Sequence, residues 1–186
     1  NPPLRRRFGQ TERMGRRESY WVYSMGLLGA WALVLVASTA LKGSAGASGL
    51  YGHLSRQSAE LVRARKGLVM LFQPERRQLV AQWPAFGLPE ERVETLRYSV
   101  DGEARQRWNF RKNGPLMSNK AQADSRLLPE LVSKTDMHQV LMVPLMRPGQ
   151  FDGLLLVADR ESGVPFSEDD LILLLAVAGQ ATVAVE

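Results

Sequence analysis

The stretch His138–Asp170, HQVLMVPLMRPGQFDGLLLVADRESGVPFSEDD, decides the fold. Two apolar runs, Val140–Met146 and Leu154–Ala158, flank the polar turn Arg147–Gln150. Runs of this length separated by Pro-Gly predict a pair of strands joined as a hairpin. The loop Arg160–Pro165 follows, and Ser167-Glu168-Asp169-Asp170 predicts a helix start. There the serine oxygen accepts a free backbone N–H and Asp170 reaches back to the N–H of the capping residue. Phe166 before the cap and Leu171 after it form a hydrophobic staple. The three acids complement the positive end of the helix dipole, so they have a structural role without catalysis or metal binding.

The order Val143-Pro144-Leu145, Phe151-Asp152-Gly153-Leu154-Leu155, Pro165-Phe166-Ser167-Glu168-Asp169-Asp170-Leu171 resembles the C-terminal half of GAF domains. The resemblance implies an α+β fold over residues 51–186, with a central antiparallel sheet flanked by helices. It also implies that the terminal helix, with the first, forms a dimer interface. Two known ligand classes of the family can be tested against the residues. Bilin-binding members use a cysteine for attachment, and this chain has none. Cyclic-nucleotide binders carry Asn-Lys after the central strand, then Phe-x-x-x-Asp-Glu. Here Ala158-Asp159-Arg160 stands at the first place, and Phe166 to Leu171 keeps Phe and Asp but loses Glu. Asn119-Lys120 lies in an earlier loop.

Outward from this region, the chain organises into four parts. The net charge of +5 is concentrated at the start. Residues 1–19 carry Arg5, Arg6, Arg7, Arg13, Arg16 and Arg17 against Glu12 and Glu18, six minus two or +4, which leaves +1 for the remainder. The globular part therefore does not read as a nucleic-acid binder. The arm lacks hydrophobic periodicity and reads as flexible or surface-bound. The absence of cysteine removes disulfides, zinc–thiolate sites and thiol nucleophiles.

Residues 20–41, YWVYSMGLLGAWALVLVASTAL, are uncharged and long enough to cross a bilayer as a helix, which needs about 20 residues. Tyr20, Trp21 and Tyr23 suit the headgroup zone at its start. The apolar region exceeds a typical signal-peptide core, so it reads as an uncleaved anchor. Six arginines precede it, whereas Lys42 and Arg56 are the only basic residues in the 20 that follow. The positive-inside rule then places the N-terminus in the cytoplasm and the domain outside, in a single-pass protein of the cell membrane. Gly26 and Ala30 give the span a small-residue face that another helix could approach closely. The arginine cluster beside Tyr20 would meet anionic headgroups. Residues 42–50 read as a flexible linker.

Within 51–186 the periodicities predict a helix over Tyr51–Lys66 stopped by Gly67, then a strand over Gly67–Phe72. Gln73–Arg77 reads as a turn and Gln78–Trp83 as the return strand, with Leu79, Ala81 and Trp83 on one face. This matches the first GAF hairpin, with Gln73 where the family often has Asp. A third strand is expected over Val93–Val100, a helix over Asp101–Asn113, a polar loop over Ser118–Ser125 and a short helix over Ser125–Ser133. The last helix, Glu168–Val185, is apolar nearly all round, so one stripe packs on the sheet and another remains for a partner.

Catalytic motifs are not found. There is no phosphate-binding glycine fingerprint, no P-loop and no G-x-S-x-G elbow. His53 and His138 are far apart and would form a metal pair only if the fold joined them. The chain reads as non-enzymatic, with no metal and no cofactor. If a small-molecule pocket exists, Trp83, Phe86, Tyr98, Trp108 and Phe110 are candidates for its walls, although core packing also explains these aromatics. Two functions are expected. The first is an accessory or scaffold subunit docked on a larger membrane-protein complex through Gly26, Ala30 and the arm. The alternative is a sensory input module that binds a small molecule and signals through dimer helices.

Overall fold

The computed structural model describes residues 47–101 and 114–184. The proposed span at 20–41, the arm and the helix expected over Asp101–Asn113 therefore lie outside the described residues, Asp101 apart. Among the described residues no helix is long and apolar enough to cross a membrane. Six strands of the described residues form one sheet: β1 (Ala64–Gln73), β2 (Gln78–Phe86), β3 (Arg97–Ser99), β4 (Leu116–Ser118), β5 (Val140–Arg147) and β6 (Gln150–Arg160). Their spatial order is β3-β2-β1-β6-β5-β4, and every neighbour pairs antiparallel. Among the described residues four α-helices accompany them: α1 (Ala47–Leu61), α2 (Glu90–Glu94), α3 (Pro129–Thr135) and α4 (Glu168–Ala184).

Both hairpins follow from local chemistry. Arg147 pairs with Gln150 around Pro148-Gly149, and Gly149 takes a φ of 74° that suits glycine. The Arg147 guanidinium donates to both carboxylate oxygens of Asp152, at 2.7 and 2.8 Å, and straps the turn. At the other hairpin the Arg77 N–H donates to the Pro74 carbonyl. The two hairpins join through β1 and β6, where Leu68 faces Leu156 and Val69 faces Leu155.

Alternation along these strands loads two cores. Leu68, Met70, Leu79, Ala81, Val140, Met142, Leu154 and Leu156 point to one face, with α2 and α3. Val69, Leu141, Val143, Leu145, Leu155 and Val157 point to the other, beneath α1 and α4. Burial on both faces explains why the central strands read as unbroken apolar runs.

Several elements depart from the sequence expectation. The first helix starts at Ala47, inside the segment read as linker, and stops at Leu61 rather than Lys66. Arg63 turns the chain at a φ of 53°, and its N–H donates to the Glu60 carbonyl. Gly67 is not a helix stop. It lies within β1, where a side-chain carbon would run into the Ser55 carbonyl oxygen of α1. Its role is close helix–strand approach.

The strand expected over Val93–Val100 divides into α2, which buries Val93, and the three-residue β3. Pro89 in extended backbone and two glutamates in the first turn favour that helix. The loop expected at Ser118–Ser125 contains the end of β4 and a 3₁₀ turn at Ala121–Ala123. The short helix begins at Pro129 rather than Ser125, because proline suits the first helical position. The cap of α4 forms as read: Asp170 accepts the Ser167 N–H at 2.8 Å and the Ser167 hydroxyl at 2.9 Å. Leu174, Ala178 and Ala181 form its inward stripe, whereas Ile172 is 59% exposed and Leu173 and Leu175 also face out.

Candidate functional site

The sheet face away from α1 and α4 carries a small cavity. Its walls include Met70 from β1, Leu79 from β2, Tyr98 and Ser99 from β3, Met142 from β5 and Leu154 from β6, closed by Leu127, Leu128 and Leu131 at α3. The free space is about 20 Å³, room for roughly one water molecule. Every sheet residue with a large apolar side chain here sits at the same parity of its strand, which is why they meet.

Tyr98 is the distinctive wall residue. It is 5% exposed, and its hydroxyl has no hydrogen-bond partner among the described residues. Burial, reinforced by the negative Glu130, pushes its phenol well above the ordinary tyrosine value, so it stays a neutral donor. The Lys134 ammonium lies 5.9 Å from its ring centroid and is itself held by Glu130 and the Thr95 carbonyl. Arg126, the charged residue of the wall, is tied to Asp124 by contacts of 2.9 and 2.6 Å and donates to the Met117 carbonyl. That guanidinium holds the Asp124 carboxyl far below the usual carboxylate range.

At one end of the same face Lys66 gathers three segments. Its Nζ donates to the Thr135 carbonyl at 2.9 Å, the Asp136 carbonyl at 2.6 Å and Asp159 Oδ2 at 2.7 Å. Asp159 Oδ1 accepts the N–H groups of His138 and Gln139. Burial alone would raise the Asp159 carboxyl, but Lys66 and these two N–H groups outweigh it and hold the group below its ordinary value. Asp159 also adopts a φ of 59°, uncommon for a residue with a side chain and stabilised here by this bonding. The next residue, Arg160, donates to Asp170 Oδ2 at 2.7 Å in the cap of α4. Asn119 grips the residue before that cap: Phe166 N–H donates to its Oδ1 at 2.8 Å, and its Nδ2 donates to the Phe166 carbonyl at 3.1 Å.

The aromatic candidates separate. Tyr98 lines the cavity. Phe86 packs, half-buried, against the core on the opposite face, under the Arg56 guanidinium at 5.3 Å. Trp83 is 38% exposed on β2. Trp108 and Phe110 lie outside the described residues, as do Arg5, Arg6, Arg7, Arg16, Arg17, Tyr20, Trp21, Tyr23, Gly26 and Ala30. His53 sits in α1 with Nε2 buried and without a partner among the described residues, and His138 is exposed ahead of β5, 3.9 Å from Asp159. Among the described residues no group of three or more side chains could hold a metal ion. Sequence reading missed the aliphatic and methionine walls, although strand parity relative to Tyr98 carries that signal. It also missed Lys66 and Asp159, which are 93 residues apart.

A sequence profile of the GAF domain matches residues 48–186. The chain belongs to the GAF domain family. Among solved structures, it resembles a GAF domain/HD domain protein from Geobacter sulfurreducens, at 23% identity and a TM-score of 0.64, over 77% of this chain and 94% of that one. The GAF domain of a phosphoenolpyruvate-protein phosphotransferase from Coxiella burnetii aligns at 16% identity and 0.66, over 87% and 93%. A segment of a methyl-accepting chemotaxis protein aligns at 15% and 0.64, over 80% and 93%. These identities establish the shared fold. Comparison with curated proteins finds no match. In this GAF domain, β6 carries Ala158-Asp159-Arg160 where cyclic-nucleotide binders carry Asn-Lys, and both charged residues are committed to internal ion pairs.

Proposed function

We propose that this chain is a non-catalytic sensory module whose GAF domain responds to a small molecule at the Tyr98 cavity. The carrying observation is the continuous bonded route from that cavity to α4. Leu131 in the wall belongs to α3, whose C-terminal carbonyls bind Lys66; Lys66 binds Asp159; and the adjacent Arg160 binds Asp170 in the α4 cap. A ligand that shifts α3 would bias the start of α4 through this chain of contacts. The relatives include a methyl-accepting chemotaxis protein and a far-red cyanobacteriochrome photoreceptor, both sensory by name.

In this reading residues 20–41 anchor the module to the membrane, with the arginine arm on the cytoplasmic leaflet and the domain outside. The exposed Ile172, Leu173 and Leu175 mate with a second copy. The accessory-subunit reading draws no support from the fold or from its relatives, and the sensory reading takes precedence.

The test is a thermal-shift screen of the purified full chain against a metabolite library, with Lys66→Met as comparison. At least one compound is expected to raise Tm in the parent. The same compound should also alter amide exchange at the start of α4 in the parent but not in Lys66→Met. Absence of any stabilising compound, together with stoichiometric membrane subunits co-purifying in mild detergent, would overturn the sensory reading in favour of the accessory subunit.

A further inference from the structure

We propose that Pro115 and Pro144 seal the β4–β5 edge of the sheet against strand addition by a second copy of this chain. The inference concerns assembly and stands whatever the domain senses.

The backbone bonds fix which way each residue of β5 turns. The Asp159 N–H donates to the Gln139 carbonyl at 3.0 Å, so Gln139 faces β6. In an antiparallel strand a residue points its N–H and C=O to one side, and its neighbours point theirs to the other. Leu141, Val143 and Leu145 therefore also face β6, opposite Val157, Leu155 and Gly153. Val140, Met142 and Pro144 face away from it. The His138 carbonyl shows the same parity, because it accepts the Ala121 N–H from the segment beyond β4. Val140 and Met142 meet Ser118 and Leu116 of β4, and there β4 ends. The next outward position of β5 is Pro144, which has no N–H to offer.

The same alternation runs through β4. Leu116 and Ser118 face β5, so Met117 turns outward, and so does Pro115 one step before the strand. Pro115 is exposed and also lacks an N–H. The Met117 carbonyl is already occupied, accepting from Arg126 Nη2 at 3.1 Å. Two donors are thus missing and one acceptor is taken along a single edge. A proline in a central strand would forfeit a ladder bond, whereas both prolines here forfeit only outward ones. The position of Pro144 next to a register shift at Leu145–Met146 disrupts the same edge further. At the opposite edge Ala81 N–H donates to the Leu96 carbonyl, which turns Arg97 outward. Arg97 spends its own N–H on the Thr95 carbonyl and sets a charge on that edge.

A second copy is the occupant these prolines exclude. It carries the same edge, and two such edges would pair antiparallel about a twofold axis. The test is sedimentation of the full chain in mild detergent over a range of protein concentrations. Pro115→Val and Pro144→Val each restore an outward N–H with a residue that suits a strand. Each is expected to raise the self-association constant on the order of tenfold, and the double variant more. The restored amides at 115 and 144 should exchange more slowly as protein concentration rises. Pro148→Ala, in the β5–β6 turn, should leave association unchanged. In an Ile172→Lys background the gain should persist, since it does not use α4.

A double variant with the parent's mass at every concentration would overturn the proposal. So would an equal gain in Pro148→Ala, or a gain that disappears with Ile172→Lys. Both single variants should melt close to the parent, because no internal hydrogen bond depends on either proline. Melting far below it would also overturn the proposal, by showing that the prolines serve the fold and not its edge.

Discussion

Lys66 Nζ and Asp159 Oδ2 meet at 2.7 Å, and the pair joins β1, the end of α3 and the end of β6 at one point. Both side chains are largely enclosed, at 17% and 14% exposure, so water cannot readily replace either partner. Lys66→Met is expected to lower stability by about 2–3 kcal/mol, the scale of charge-assisted hydrogen bonds left unmade. Asp159→Asn keeps a residue tolerant of positive φ and should cost less. The double variant should be less destabilised than the sum of the two, and denaturant unfolding of all four proteins measures that coupling.

Acid should weaken the domain through three carboxyls. Asp124, Asp152 and Asp159 are all held below their ordinary range, chiefly against burial by Arg126, Arg147 and Lys66. A depressed carboxyl contributes stability that is fully present above its unfolded value near about 4 and is lost as pH falls through the lower folded value. Unfolding midpoints should therefore be flat from neutral pH to about 5 and fall below about 4. In Asp152→Asn the fall should be shallower; an identical acid limb would show that the Arg147 pair is energetically silent.

Gly67→Ala and Gly153→Ala should be among the most damaging single substitutions. A methyl at Gly67 meets the Ser55 carbonyl, and one at Gly153 meets the Met70 carbonyl, and neither backbone can step aside cheaply. Each should cost more than about 3 kcal/mol. Gly163→Ala has open space around it and only a φ of 72° to contend with, so about 1 kcal/mol is expected. Thermal melts of the three variants test the ranking.

Asn119→Ala removes both bonds that hold Phe166 ahead of α4. A loss of about 1–3 kcal/mol is expected. Faster hydrogen exchange should appear first at Ser167–Leu171, because the α4 cap depends on that grip. Uniform exchange across the domain would contradict a local clamp.

Ile172→Lys should leave the melting temperature nearly unchanged, since the residue is 59% exposed, and, under the proposed pairing of α4 with a second copy, should lower the sedimentation-defined mass of the full chain to that of a monomer. A mass unaffected by the substitution would remove α4 as the dimer face.

The local parts of this fold were legible because their causes are local. Pro148-Gly149 between apolar runs marks the β5–β6 hairpin, and Ser167 with Asp170 marks the α4 start. Gly67 was misread as a helix stop because its reason is the distant Ser55 carbonyl, which no neighbouring residue announces. β3 is only three residues long and follows a helix of five, so neither element is long enough to set a period of its own, although the three-residue step from Val93 to Leu96 is helical spacing. The candidate site was legible at Tyr98 alone. Phe86 and Tyr98 look equivalent in sequence, and only the register of β2 and β3 sends them to opposite faces.

The central pairing of β1 with β6 has a consequence for synthesis. Leu68 and Leu156 stand side by side, yet they lie 88 positions apart in the chain. The β1–β2 hairpin can close early, but its inner edge offers unpaired N–H and C=O groups along an apolar strand until β6 arrives. Non-local closure of this kind is slow and leaves an aggregation-prone intermediate. Until β6 pairs, Leu68–Met70 of the newborn half-sheet lack the cover that leaves each at most 1% exposed in the finished domain.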